Sequence, residues 1–137
     1  MKKLECILLV DDNVNDNFVH FMTIKETDTT RQIKTARDGK KALEYLDKGK
    51  ENPNEYPFPD LIFLDLAMPG INGYEFLDKI REKKLSGVEK PVIVIMTGSY
   101  DSDTEQKIKD NYSDEVVALV KKPLTVEMQE EIIKTYF

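Results

Sequence analysis

The sequence has one cysteine, Cys6, so no disulfide can form within the chain. Its place at the head of an apolar run predicts a buried structural thiol rather than a reactive one. There is also one histidine, His20, which reads as a surface or packing residue rather than a metal ligand. Glycine and proline number six each, too few for a low-complexity or fibrous chain. No apolar stretch approaches the roughly 18 residues of a membrane span, and the segment after Met1 is too short in apolar residues for a signal peptide. Basic residues are outnumbered 20 to 26, with a formal net charge of -6 and no long run of Lys or Arg. That balance argues against a nucleic-acid surface, which needs a basic patch. The expected address is a reducing cytoplasm.

The chain offers 137 residues, of which 40% are hydrophobic, enough for one core but not for two. We therefore expect one domain over residues 1–137, with no room for an output domain after the last helix. Apolar runs at 5–10, 61–65, 92–96 and 115–120 are rich in Val, Ile and Leu. Runs of that kind predict strands covered by helices on both faces. Residues 31–36 alternate polar and apolar, which predicts an exposed edge strand.

Between these runs the apolar spacing changes towards a helical period. Val14, Phe18, Phe21 and Met22 form one stripe, and Ala42 and Leu46, with Tyr45 beside them, form another. Leu77 and Ile80 with Phe76 make a third, and Leu124, Met128, Ile132 and Tyr136 a fourth. The helix over 101–112 is the weakest, anchored only by Ile108 and Tyr112. Asn72 and Glu75 have the spacing of a capping pair, and Asp38 with Gly39 marks a turn into the second helix. Residues 49–60, with three prolines, predict a long surface loop. Met68 and Met96 read as core fillers. Strict alternation of strand and helix predicts an α/β fold: a doubly wound, five-stranded parallel sheet, (βα)5, with strand order 2-1-3-4-5.

That order brings the C-terminal ends of the first and third strands together, where such sheets bind ligands. Asp11 and Asp12 follow the first strand, and Asp65 ends the third. Three carboxylates held close repel one another and raise each other's pKa values, and a divalent cation relieves this. Taken alone, Asp11 and Asp12 would serve equally well as caps for the first helix, with Asn13 as an alternative cap. Thr97 after the fourth strand and Lys122 after the fifth end on the same edge. A hydroxyl and an ammonium facing an acid cluster can hold the oxygens of a phosphoryl group. Lys121 competes with Lys122, and adjacency to Pro123, where a cis peptide would aim the side chain inwards, favours Lys122.

In combination these residues resemble the receiver domain of two-component response regulators, a flavodoxin-like fold. The carriers are Asp11 and Asp12; the run from Asp65 through Met68 and Pro69 to Gly73; Thr97 with Gly98; and Lys122 with Pro123. The resemblance covers essentially the whole chain. It implies that Asp65 accepts a phosphoryl group from a sensor histidine kinase or a histidine phosphotransfer protein. It implies Mg²⁺ or Mn²⁺ held by Asp12, Asp65 and the Ala67 carbonyl, with Asp11 acting largely through water, while Thr97 and Lys122 grip the phosphoryl oxygens.

The resemblance also implies a monomer or weak dimer that signals to a downstream protein partner. Self-phosphorylation and autodephosphorylation would be its only chemistry, with no small-molecule turnover. Leu119 stands three residues before Lys122, where relatives often carry an aromatic ring, and Leu124 follows Pro123 where Phe is common. Small residues at Ala67 and Ser99 would leave attacking water unobstructed, so slow loss of phosphate would count against that reading. Three other classes compete. A Mg²⁺-dependent aspartyl-phosphate hydrolase would need Asp-x-Asp after the first strand and a cap domain. A flavin carrier would need a Ser/Thr/Gly-rich loop there. A receiver-like docking module would take no phosphate at all.

Overall fold

The computed structural model describes residues 3–68, 70–83, 91–98 and 101–137. Within them the chain alternates without exception: β1 (Leu4–Val10), α1 (Val14–Thr27), β2 (Thr30–Ala36), α2 (Gly39–Glu51), β3 (Leu61–Asp65), α3 (Gly73–Glu82), β4 (Val92–Thr97), α4 (Ser102–Tyr112), β5 (Val116–Lys121) and α5 (Val126–Tyr136). All strand pairs are parallel, in the order β2-β1-β3-β4-β5. The fold class and strand order expected from the sequence are those observed.

Side chains alternate across a strand, so each central strand feeds two cores. Leu8, Val10, Ile62, Leu64, Ile93 and Ile95 face α2, α3 and α4, whose Ala42, Leu46, Phe76, Leu77, Ile80 and Ile108 pack against them. Ile7, Leu9, Leu61, Phe63, Val94 and Met96 face the opposite side, with Ile24 of α1 and Ile132 and Ile133 of α5. Cys6 is fully buried in β1, and Met68 and Met96 are buried as expected. The register then places the strand ends. Val10 pairs with Leu64, so Asp11 and Asp65 follow at the same level on adjacent strands.

Capping follows short polar side chains at the helix starts. Asn13, Asp38, Asn72 and Asp101 each accept the backbone N–H three residues on. Asn13, not Asp11 or Asp12, therefore caps α1. Two glycines set the turn after β3. Gly70 has a φ of 73°, and a Cβ on Gly73 would lie 2.6 Å from the Leu66 Cα.

Three expectations need correction. Of the Val14, Phe18, Phe21 and Met22 stripe only Phe21 packs against the core. Val14 and Phe18 are 56% and 65% exposed, and α1 instead buries Asn17, His20 and Ile24. Tyr136 is not a core residue either; it is exposed, with its hydroxyl donating to the Val117 carbonyl at 3.1 Å. On α5 the buried positions are Gln129, Ile132 and Ile133. β5 is the edge strand that the expected order implies, and it meets both cores, with Val116 and Leu119 on one face and Ala118 and Val120 on the other. Val117, beside an irregularity in the pairing with β4, is exposed.

Finally, α2 runs on to Glu51, so residues 49–51 are helical and only the remainder of 49–60 is loop. That loop is tied down: the Tyr45 hydroxyl donates to the Pro57 carbonyl at 2.7 Å, and Asp60 Oδ2 accepts the Glu5 N–H at 2.7 Å.

The weak helix α4 does rest on Ile108 and Tyr112. It is also joined to α3, since the Tyr112 hydroxyl donates to Asp78 at 3.0 Å and the Lys107 ammonium lies 3.9 Å from the Tyr74 ring centre.

Candidate functional site

The C-terminal edge of the sheet gathers the acids that the sequence separates by more than fifty positions. Asp11, Asp12 and Asp65 each present a carboxylate oxygen, and these oxygens lie within 4.8 Å of one another. Asp11 and Asp65 are buried and Asp12 is exposed. Each buried acid owes its position to a strand end followed by a local hydrogen bond. Asp11 Oδ1 accepts the Asn13 N–H at 2.9 Å, and Asp65 Oδ1 accepts the Ala67 N–H at 3.3 Å.

Lys122 reaches in from the β5–α5 junction. Its ammonium donates to Asp11 Oδ2 at 2.6 Å and to Asp16 Oδ2 at 2.9 Å, while Asp65 Oδ2 stands 3.7 Å away. The Lys122 backbone N–H donates to the Thr97 carbonyl at 2.7 Å, which joins the end of β4 to this turn. The Lys122–Pro123 peptide is cis, and Lys121 faces solvent, so Lys122 is the lysine of the site. Thr97 ends β4, half-buried, one residue beyond the Met96 that pairs with Asp65. Of the residues singled out near the site, Pro69 and Ser99 lie outside the described ones.

The electrostatics follow from burial. Asp65 has its pKa pushed up to about 6, mainly by loss of water and also by the Asp11 charge; Lys122 and the Ala67 N–H pull the other way. Burial works to lower the Lys122 pKa, but hydrogen bonds to Asp11 and Asp16 and the charge on Asp65 outweigh it and hold the ammonium firmly protonated. His20, packed beneath, is pushed below its ordinary value by burial first and then by Lys122. One lysine thus faces several acids. An oxygen-rich set of three carboxylates with this residual negative charge suits a hard divalent cation, which favours carboxylates, waters and phosphate oxygens.

Sequence reasoning missed the contribution of α1. Asp16 holds Lys122, and the Asn17 side-chain amide donates to the Asp11 carbonyl at 2.8 Å. With Asn13 and His20 these residues fall at i, i+3, i+4 and i+7, a polar stripe at helical spacing. That spacing was the available signal, and an apolar stripe on the same helix masked it.

A family model described as response regulator receiver domain matches residues 7–134. Over 122 residues the chain is 33% identical to a probable methanogenesis regulatory protein, FilR2, of Methanothrix harundinacea, covering 88% of this chain and 74% of that one. Longer relatives contain the match as a part, since the chain spans 22%, 26% and 7% of three of them. Among solved structures, a two component response regulator from Cytophaga hutchinsonii is similar with a TM-score of 0.85 at 26% identity, covering 97% of this chain and 96% of that one. The response regulator protein TrrA of Thermotoga maritima, in complex with Mg²⁺-BeF, is similar with a TM-score of 0.71 at 26% identity, covering 97% and 99%.

Proposed function

The chain belongs to the response regulator receiver domain family, and from that premise we propose that it accepts a phosphoryl group on Asp65 from a phosphohistidine donor. The observation that carries this reading is the meeting of Asp11, Asp12 and Asp65 at one strand edge with the Lys122 ammonium among them.

In the proposed step an Asp65 oxygen attacks phosphorus in line with the donor's P–N bond. An acyl phosphate P–O bond forms, the P–N bond breaks, and the imidazole nitrogen leaves with the electron pair and takes up a proton. Asp65 must be ionised to attack, so a pKa near 6 leaves it mostly competent at neutral pH. Lys122 then stands close enough to donate to the new phosphoryl oxygens, with the Thr97 hydroxyl on the adjacent strand as a second donor. Asp11, Asp12, Asp65 and the Ala67 carbonyl are the groups that would hold Mg²⁺ or Mn²⁺. When bound, such an ion supplies charge neutralisation for the phosphoryl oxygens. Transfer is stoichiometric, one phosphoryl group per chain, and water later removes it.

The donor is a sensor histidine kinase or a histidine phosphotransfer protein. It would land on α1, whose Val14, Phe18 and Met22 are exposed beside the site, because apolar patches of that kind mark contact surfaces. Output passes through altered contacts with a protein partner. Incubation with acetyl phosphate and Mg²⁺, followed by intact-mass measurement, tests the reading. One phosphoryl adduct is expected, absent without metal and absent in Asp65→Asn. No adduct under any condition would leave only a docking module.

A further inference from the structure

We propose that Asp16 is a positioning residue for Lys122, holding its ammonium off Asp65 until phosphoryl oxygens compete for it. This rests on the reading of Asp65 as phosphoacceptor. An ammonium has three N–H donors. Two are engaged, by Asp11 at 2.6 Å and by Asp16 at 2.9 Å, and Asp65 at 3.7 Å lies beyond hydrogen-bond range.

The two anchors differ in kind. Asp11 is 2% exposed, and its second oxygen is fixed by the Asn13 N–H. Asp16 is 38% exposed on the first turn of α1, with its backbone held by the Asn13 cap. When the lysine turns towards a phosphoryl group, Asp16 is already open to solvent and loses less on release than buried Asp11, whose shorter bond to the ammonium is the one kept. Asp16 is therefore the partner that Lys122 gives up. An interaction made in one state and lost in the other shifts the balance between them. Asp16 thus biases the protein towards its unphosphorylated form and tempers the stability of the acyl phosphate.

Titration with beryllium fluoride at saturating Mg²⁺, followed by calorimetry, reads that bias as an affinity. Removing one partly exposed charge pair should tighten binding by Asp16→Asn about fivefold, the equivalent of ~1 kcal/mol. Asp16→Glu should stay near the wild-type value, and Asp16→Ala should follow Asp16→Asn. In a Lys122→Met background, Asp16→Asn should change nothing, because the effect runs through the lysine. Urea unfolding without metal supplies a second readout: positions 16 and 122 should be energetically coupled in a double-mutant cycle.

Unchanged or weaker binding by Asp16→Asn would overturn the proposal, as would an equal gain in the Lys122→Met background or no coupling in the unfolding cycle. If the wild-type protein binds beryllium fluoride and the variant matches it, only the role of Asp16 falls. If the wild-type protein neither binds beryllium fluoride nor accepts phosphate from acetyl phosphate, the reading of Asp65 falls and this one with it.

Discussion

Asp65→Asn should stabilise the metal-free protein, and the size of the effect follows from burial. The side chain is 11% exposed and its pKa rises from 3.8 to about 6, chiefly because burial penalises the charged form. Between those two values the folded protein binds the proton more tightly than the unfolded chain. Stability therefore falls as pH rises through that window, and the full penalty is present above about pH 6. A gap of about two pH units corresponds to roughly 3 kcal/mol. The asparagine keeps the shape and can still accept the Ala67 N–H, but its amide must be desolvated, which offsets part of the gain. The expected net stabilisation is about 2 kcal/mol near pH 7.5, shrinking below about 1 kcal/mol near pH 4.5.

Urea unfolding in the presence of a chelator, at both pH values, measures this directly. Adding Mg²⁺ should then stabilise the wild-type protein more than the variant, because binding to the folded state alone adds to stability. An Asp65→Asn protein no more stable than wild type at neutral pH would refute the reasoning, as would a gain that is the same at both pH values. Either result would mean that the buried carboxylate is already neutralised by Lys122, 3.7 Å away.

Two further substitutions probe the elements that surround the site. Gly73→Ala would place a Cβ 2.6 Å from the Leu66 Cα and 2.8 Å from the Asp65 carbonyl oxygen. Because both obstacles are backbone, thermal unfolding should show a loss of about 1–3 kcal/mol, with slower phosphorylation by acetyl phosphate; an unaltered Tm would count against the packing described. Phe18→Ser should change stability by no more than about 0.5 kcal/mol, since the ring is 65% exposed. It should slow transfer from a phosphohistidine donor about tenfold by removing a contact worth ~1.4 kcal/mol and leave acetyl phosphate labelling as it was. Equal rates with the protein donor would remove α1 from the donor interface.

The contrast between the sheet and α1 shows where sequence patterns carry structural information and where they lose it. β1, β3 and β4 are legible because burial on both faces demands apolar residues at nearly every position, Glu5 of β1 being exposed, and the run ends where the strand does. Asp11 and Asp65 each follow such a run, so their meeting required only the strand order, and Lys122 was separated from Lys121 by its proline neighbour. β5 carries a similar run for the same reason, since even at the sheet edge its two faces meet the two cores.

α1 is where the pattern misleads. The helical stripe rule assumes that the apolar face of a helix is the buried one. Beside a strand edge that concentrates carboxylates, the inward face must instead supply partners for buried charge. Asp16, Asn17 and His20 occupy it, and Ile24 restores the ordinary pattern only one turn further on. The apolar residues are displaced outward, to Val14, Phe18 and Met22. Local rules are expected to break at functional positions and to hold elsewhere. Here the break begins at the helix turn that touches Lys122 and ends where α1 reaches the Ile24 core. An inverted amphipathic helix directly after an acidic strand end is thus itself a readable sign that the inward face of the helix serves the acid cluster.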